Sequence, residues 1–239
     1  MKKFRSIIIW FLSLIAVVVI TIAIYISIVA IQEKLFVPRE YVMWIFKYPV
    51  SRLIFIYQLY LILGFFYIFH KGFVKTILGL ERDRSKYSFI KQHRNLSLSI
   101  FISLNVILTY TILTSVTVIT KNKIIDYSFL SPQGKEYSYT DVVNINAGVH
   151  GKKFYLPFTH SKGDFFYVIE LNDGTKIDLT ELGGAKADEH EYFIIEKLDK
   201  KWVNMGTPKE SSMENFKYTT DYLDKIYTEK IRSILERTK

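Results

Sequence analysis

Apolar positions along this 239-residue chain follow two rhythms, and the change falls near residue 120. Before it they run without interruption. Ser6 to Gln32 is 27 residues without a formal charge, Leu53 to Phe69 is 17, and Asn95 to Thr120 is 26. At about 1.5 Å per residue the first and third exceed the ~30 Å hydrocarbon core of a bilayer, and the second falls a little short. Each is read as a membrane-spanning helix. For the second, the alternative is a buried hairpin or re-entrant segment. The first run is far longer than the about 7 to 15 apolar residues of a cleavable signal, and no Ala-x-Ala site closes it, so an uncleaved anchor is expected.

After Thr120 apolar residues recur at every second position, the period of half-buried strands. Six short strands are predicted, around Ile125-Tyr127-Phe129, Tyr137-Tyr139, Val143-Ile145-Ala147, Phe154-Leu156-Phe158, Phe165 to Leu171, and Ile177-Leu179. Turn chemistry separates them at Ser131-Pro132-Gln133-Gly134, Gly148 to Gly151 and Asn172-Asp173-Gly174, which predicts an antiparallel meander. From about Lys186 the period becomes helical, with Ile194, Ile195, Leu198 and Trp202 on one face and Met205-Gly206-Thr207-Pro208 as the stop. A second helix is expected from a capping box, Ser211-x-x-Glu214. Phe216, Leu223, Tyr227, Ile231 and Ile234 line one stripe of it, and its other faces are charged. That stripe packs on the sheet or forms an interaction surface for a partner chain.

The fold class is therefore α+β: a helical transmembrane region over residues 1–119, followed over 120–239 by a soluble antiparallel barrel or sheet domain with C-terminal helices. The stretch Tyr127-Ser128-Phe129 through Tyr139-Thr140-Asp141-Val142-Val143-Asn144-Ile145 resembles the opening of bacterial pleckstrin-homology-like (PH-like) domains. There a turn leads into a Tyr-x-Asp-Ile/Val strand. Tyr167 to Leu179 looks like the final hairpin of such domains, which often follow transmembrane helices in small bacterial membrane proteins. The resemblance covers roughly residues 120–200. It implies a barrel capped by a helix and a binding role, with no catalytic residues to carry over. Family members more usually place the domain in the cytoplasm.

Charge separates the two halves. Residues 1–119 hold 14 Lys/Arg and 4 Asp/Glu, whereas 120–239 hold 18 and 19, so the basic excess belongs to the apolar half. Cations in that position suit a membrane and not nucleic acid, whose binders carry theirs on a soluble face. The N-terminus carries Lys2, Lys3 and Arg5, and the segment His70 to Arg94 carries seven Lys/Arg; the positive-inside rule makes these the cytoplasmic sides. Three crossings then place the C-terminal domain outside the cell membrane. If Leu53 to Phe69 does not cross, it returns to the cytoplasm. The apolar first half of His70–Arg94 can also lie on an anionic leaflet.

Candidate chemistry is sparse. With no cysteine, thiolate metal sites, cysteine nucleophiles and disulfides are excluded. His150, His160 and Asp164 match no established ligand spacing, so no metal site is expected. Glu181, Asp188, Glu189 and Glu191 read as the acidic start of a helix. No phosphate loop or Gly-x-Ser-x-Gly elbow occurs, and no cofactor is expected. Ser99, Ser103, Tyr110, Thr114 and Thr117 form a hydroxyl stripe on the third span that suits helix packing, and the absence of charge within the spans argues against an ion path. The expected function is a multi-pass membrane protein whose PH-like domain is a binding, scaffold or sensor module for a protein, a peptide or the membrane surface. An accessory subunit of a transporter or export system is the alternative, and an enzyme comes third. The lipid bilayer and a protein are the expected partners.

Overall fold

The structure, a computed structural model, describes residues 2–48, 50–69, 93–152, 160–186 and 189–237. The strand expected around Phe154, Leu156 and Phe158, Asp188, and all but the end of the His70–Arg94 segment lie outside the described residues. The chain forms two compact units, Met1–Ile31 with Arg52–Leu113, and Gln32–Ser51 with Thr114–Lys239.

The first unit is helical. Helix α1 spans Lys2–Phe36, α2 spans Phe55–Phe69 after a 3-10 segment at Val50–Ile54, and α3 spans Arg94–Leu113. Two of these are long and apolar enough to cross a membrane: Phe11–Phe36 of α1, with mean hydropathy 3.0, and α3, with 2.0. Their side chains stay largely exposed, as suits lipid and not a protein core. Helix α2 meets α3 through Tyr57, whose hydroxyl lies 2.7 Å from Thr109 Oγ1, and through the Tyr60 and Phe101 rings, 5.8 Å apart. The hydroxyl stripe does not survive as one face. Helix α3 stops at Leu113, and Thr114 and Thr117 are buried in the other unit. The helix ends seven residues before the close of the third apolar run because Val116-Thr117-Val118-Ile119-Thr120 is wholly β-branched, and such side chains favour a strand.

The second unit holds two sheets. Strands β1 (Tyr41–Phe46), β2 (Val116–Thr120), β3 (Lys123–Ser128), β4 (Ser131–Ser138) and β8 (Leu182–Ala185) form the first, in the order β4-β3-β2-β1-β8. Strands β5 (Val142–Val149), β6 (Phe165–Leu171), β7 (Lys176–Asp178) and β9 (Lys209–Ser211) form the second, in the order β7-β6-β5-β9. The domain is therefore two sheets, without the closed barrel that the resemblance implies. Every pairing is antiparallel except β5 with β9, and consecutive strands meander over β1–β4 and over β5–β7, whereas β8 and β9 join their sheets out of sequence order. A register shift between Val142 and Asn144 leaves Val143 exposed and turns Ile145, Ala147 and Val149 inward. The Asp173-Gly174 hairpin forms as expected, with Gly174 at φ 83°.

Strand β1 is the principal departure from the sequence reading. It comes from the segment expected as a connection between the first two spans, yet it lies between β2 and β8 near the middle of its sheet. Tyr41 pairs with Thr120 and Phe46 with Val116, while Lys47 N–H donates to the Ser115 carbonyl at 3.2 Å. The 65 residues from 49 to 113 thus stand inside a β-hairpin. Met43 and Ile45 face the core with Ile119 and Ile124, and Trp44 on the opposite face fits over Gly183, where an added Cβ would lie 2.2 Å from its ring. The unit therefore begins at Gln32, with an excursion, rather than at residue 120.

Helix α4 (Glu191–Met205) begins at the His190 cap and ends at Gly206, whose φ of 94° closes it as the stop signal requires. The second expected helix is broken. Ser211 belongs to β9 and donates to the Leu235 carbonyl at 2.7 Å, so no capping box forms. A short helix α5 (Phe216–Thr219) and then α6 (Lys225–Glu236) follow. Phe216, Ile231 and Ile234 are buried in the core, Leu223 packs against it half-buried, and the Tyr227 ring stacks on His190 at 4.2 Å. Of the two expectations for this stripe, packing on the unit's own core holds for Phe216, Ile231, Ile234 and Leu223, while Tyr227 meets His190 outside that core.

Candidate functional site

Between the β1–β2 and β6–β7 portions of the two sheets lies a recess of about 360 Å³. Ile45 and Thr117 line it from one sheet and Val168 and Ile177 from the other, at whose edge β7 lies. Lys47 and Lys176 stand on its lining, with Tyr48 and Asp178. Lys47 Nζ donates to Asp126 Oδ2 at 2.6 Å, and Thr117 Oγ1 donates to Asp126 Oδ1 at 2.6 Å, so one buried carboxylate satisfies a cation and a hydroxyl of the same wall. Lys176 lies 3.4 Å from Glu170 at the exposed rim. Burial raises the Asp178 pKa, and the Thr180 N–H and hydroxyl and the Tyr167 N–H oppose it. Ile45, Val50, Val168 and Ile177 supply its apolar lining, and both of its lysines are paired with carboxylates.

A second polar cluster is sealed from solvent. Asp199 of α4 accepts from Lys209 Nζ at 2.6 Å, from the Tyr167 hydroxyl at 3.0 Å, and from Arg237. Burial, followed by the Asp199 charge, pushes the Tyr167 hydroxyl well above the tyrosine range. Burial also pulls the Lys209 ammonium below its usual value, partly offset by Asp199. Burial works against ionisation of Glu196, one turn away, but hydrogen bonds from Lys200, Lys230 and Ser233 hold it at about 2. These charges fasten α4, β9 and α6 together, and no substrate reaches Asp199 through the packing around it.

The His150 and His160 rings stack at 3.7 Å between centroids, 17° from parallel, and Phe166 lies 4.8 Å from His150. Face-to-face stacking does not aim two ring nitrogens at one point, and no group of three His, Asp or Glu able to hold a metal occurs among the described residues. Asp164 instead accepts from the Ser161 N–H, bracing the turn. Burial first, and His160 second, lower the His150 pKa. Of the acidic residues expected to open a helix, Glu191 stands in the first turn of α4 and Glu189, just before the cap, pairs with Lys197 at 2.6 Å, whereas Glu181 instead precedes β8. The sequence reading missed the recess because two of its walls are β1 and β2. A Pro-bounded run of six apolar residues, Tyr41 to Phe46, was the available signal.

No family model, no curated protein and no solved structure matches this chain. The reading of its role rests on its own geometry.

Proposed function

We propose that this chain is a three-span membrane protein carrying a two-sheet binding module, a scaffold or sensor rather than an enzyme. The pairing of β1 with β2 and β8 carries the reading. Strands of one sheet lie on one side of a bilayer, so the chain crosses an even number of times between Phe46 and Val116. Helix α3 supplies one crossing and α2 the other. The 15 residues of α2 reach about 22 Å, and the five of the preceding 3-10 segment add about 10 Å, together near the ~30 Å required. Lys and Arg set the direction: N-terminus and residues 70–94 in the cytoplasm, sheets outside the cell membrane.

The recess is the binding surface in this reading. Its apolar lining, with the lysines already paired to carboxylates, suits an apolar ligand group. The PH-like kinship belongs to the same proposal, supported by the Tyr139–Asp141 turn into β5 and by the β6–β7 hairpin ahead of α4. Single cysteines in this cysteine-free chain test the crossings. An impermeant maleimide on intact cells should label positions 40 and 122 and spare 86. Opposite accessibility of 40 and 122 would end the proposal. For the ligand, Val168→Trp fills the recess and should lower the yield of apolar ligand released from purified protein; equal yields would remove the recess from the proposal.

A further inference from the structure

The two hairpin tips of the five-stranded sheet point to opposite ends of it and differ in chemistry. The β2–β3 tip reads Thr120-Lys121-Asn122-Lys123, entirely polar. The β3–β4 tip is Phe129-Leu130, with Phe129 42% and Leu130 90% exposed. No fold requirement explains a leucine left this far out at a turn, a position that polar residues ordinarily fill.

The register gives the location of each tip. Thr117 pairs with Asp126, Val118 with Ile125 and Ile119 with Ile124. Continued toward the start of β2, that pairing brings Phe129 level with Thr114, the first residue after α3, and Leu130 one residue beyond. The apolar tip therefore stands at the end of the sheet where the chain arrives from α3, and the polar tip at the far end. Aromatic rings collect at the same end: Phe46 at the close of β1, Tyr48 after it, and Phe36 against Tyr127 at 5.0 Å. Far-end residues Arg39, Glu40, Lys121 and Asn122 are exposed and polar.

We infer that the Phe129–Leu130 tip inserts into the interfacial layer of the bilayer that α3 crosses, holding the sheet unit end-on against the leaflet. The inference rests on the three-span reading above. Val116 follows Leu113 by three residues, a reach of about 10 Å, so this end of the sheet cannot leave the membrane surface if α3 spans. An apolar side chain exposed to water everywhere else finds its partner there, with aromatic rings at headgroup depth beside it.

The test uses the full chain in lipid nanodiscs with an environment-sensitive fluorophore on single cysteines at 130, 122 and 107. Spin-labelled lipid serves as the quencher. Leu130 is so exposed that labelling it leaves the fold intact. The expected result is quenching of about twofold or more at 130, strong quenching at 107 within α3, and none at 122. Quenching at 107 without quenching at 130 overturns the insertion and leaves the span standing. Blue-shifted but unquenched emission at 130 gives the tip to a second copy of the chain instead. Quenching at both 130 and 122 means that the sheet lies flat, which also overturns it. No quenching at 107 fails the span itself, and the insertion with it.

Discussion

Lys209 Nζ lies 2.6 Å from Asp199 Oδ1, and the two side chains are 2% and 0% exposed. Neither charge has water to turn to, so the pair is held by its geometry and by Tyr167 and Arg237. Removing one partner leaves the other charge buried and uncompensated, at a cost of about 3–5 kcal/mol. Asp199→Ala is therefore expected to lower the melting temperature of the detergent-solubilised chain more than any surface substitution. Asp199→Leu combined with Lys209→Met should recover much of that loss, because buried pairs exchange for apolar groups at little cost. Equal melts for single and double variants would refute the coupling.

Residues 120–239 alone are expected not to fold cooperatively. That fragment lacks β1 and nearly all of β2, so β3–β4 and β8 lose the strands between them. Joining residue 48 to residue 114 through a short glycine-rich loop, with the chain starting at 37, restores the β1–β2 hairpin at the place where Lys47 bonds Ser115. That shortened protein should melt cooperatively with mixed sheet and helix circular dichroism. A cooperative melt of 120–239 would count against the central position of β1.

Ile231 is completely buried in α6, whereas Ile226 on the same helix is 55% exposed. Ile231→Ala should cost about 2–5 kcal/mol, and Ile226→Ala less than about 0.5 kcal/mol. Thermal unfolding of the two variants checks the docking of the helix. Comparable effects would make the stripe something other than a core cap.

Burial, with Asp178 and Glu181 nearby, pushes Glu191 up to about 7 from 4.5. Between these values the folded chain holds a proton that the unfolded chain has released. Stability therefore falls as pH rises through this window, and the penalty is complete above about 7. Glu191→Gln should be more stable than the parent at pH 8, by about 1–3 kcal/mol at most, and indistinguishable from it below about pH 4.5. Melts at three pH values decide; a constant difference would place the carboxylate in solvent.

The parts legible in the sequence were those with one wet face. Strand β6, buried at Phe165, Tyr167, Ile169 and Leu171 and half-buried between, shows its period directly, and α4 announces its stop with Gly206. Strands β1 and β2 are covered on both faces, so they present unbroken apolar runs that periodicity cannot distinguish from helix. Their position beside long apolar helices completed the disguise. The recess followed them into obscurity, since Ile45 and Thr117 line it. The Asp199 cluster has no local signature either: its members lie at 167, 199, 209 and 237 and meet only through tertiary packing.

The place of β1 also sets a timetable for biosynthesis. Met43 pairs with Ile119 and with Ala185, so β1 leaves the ribosome about 75 residues before one neighbour and about 140 before the other. At about 5–20 residues per second it waits for β8 for some 7 to 30 s. Until β2 emerges Tyr41 to Phe46 is an unpaired apolar strand with two open edges, and until β8 follows it keeps one, the kind of segment that aggregates or recruits a holding chaperone. Slowing translation through residues 49–113 should prolong the vulnerable stage, and misassembly of newborn chains should rise with it.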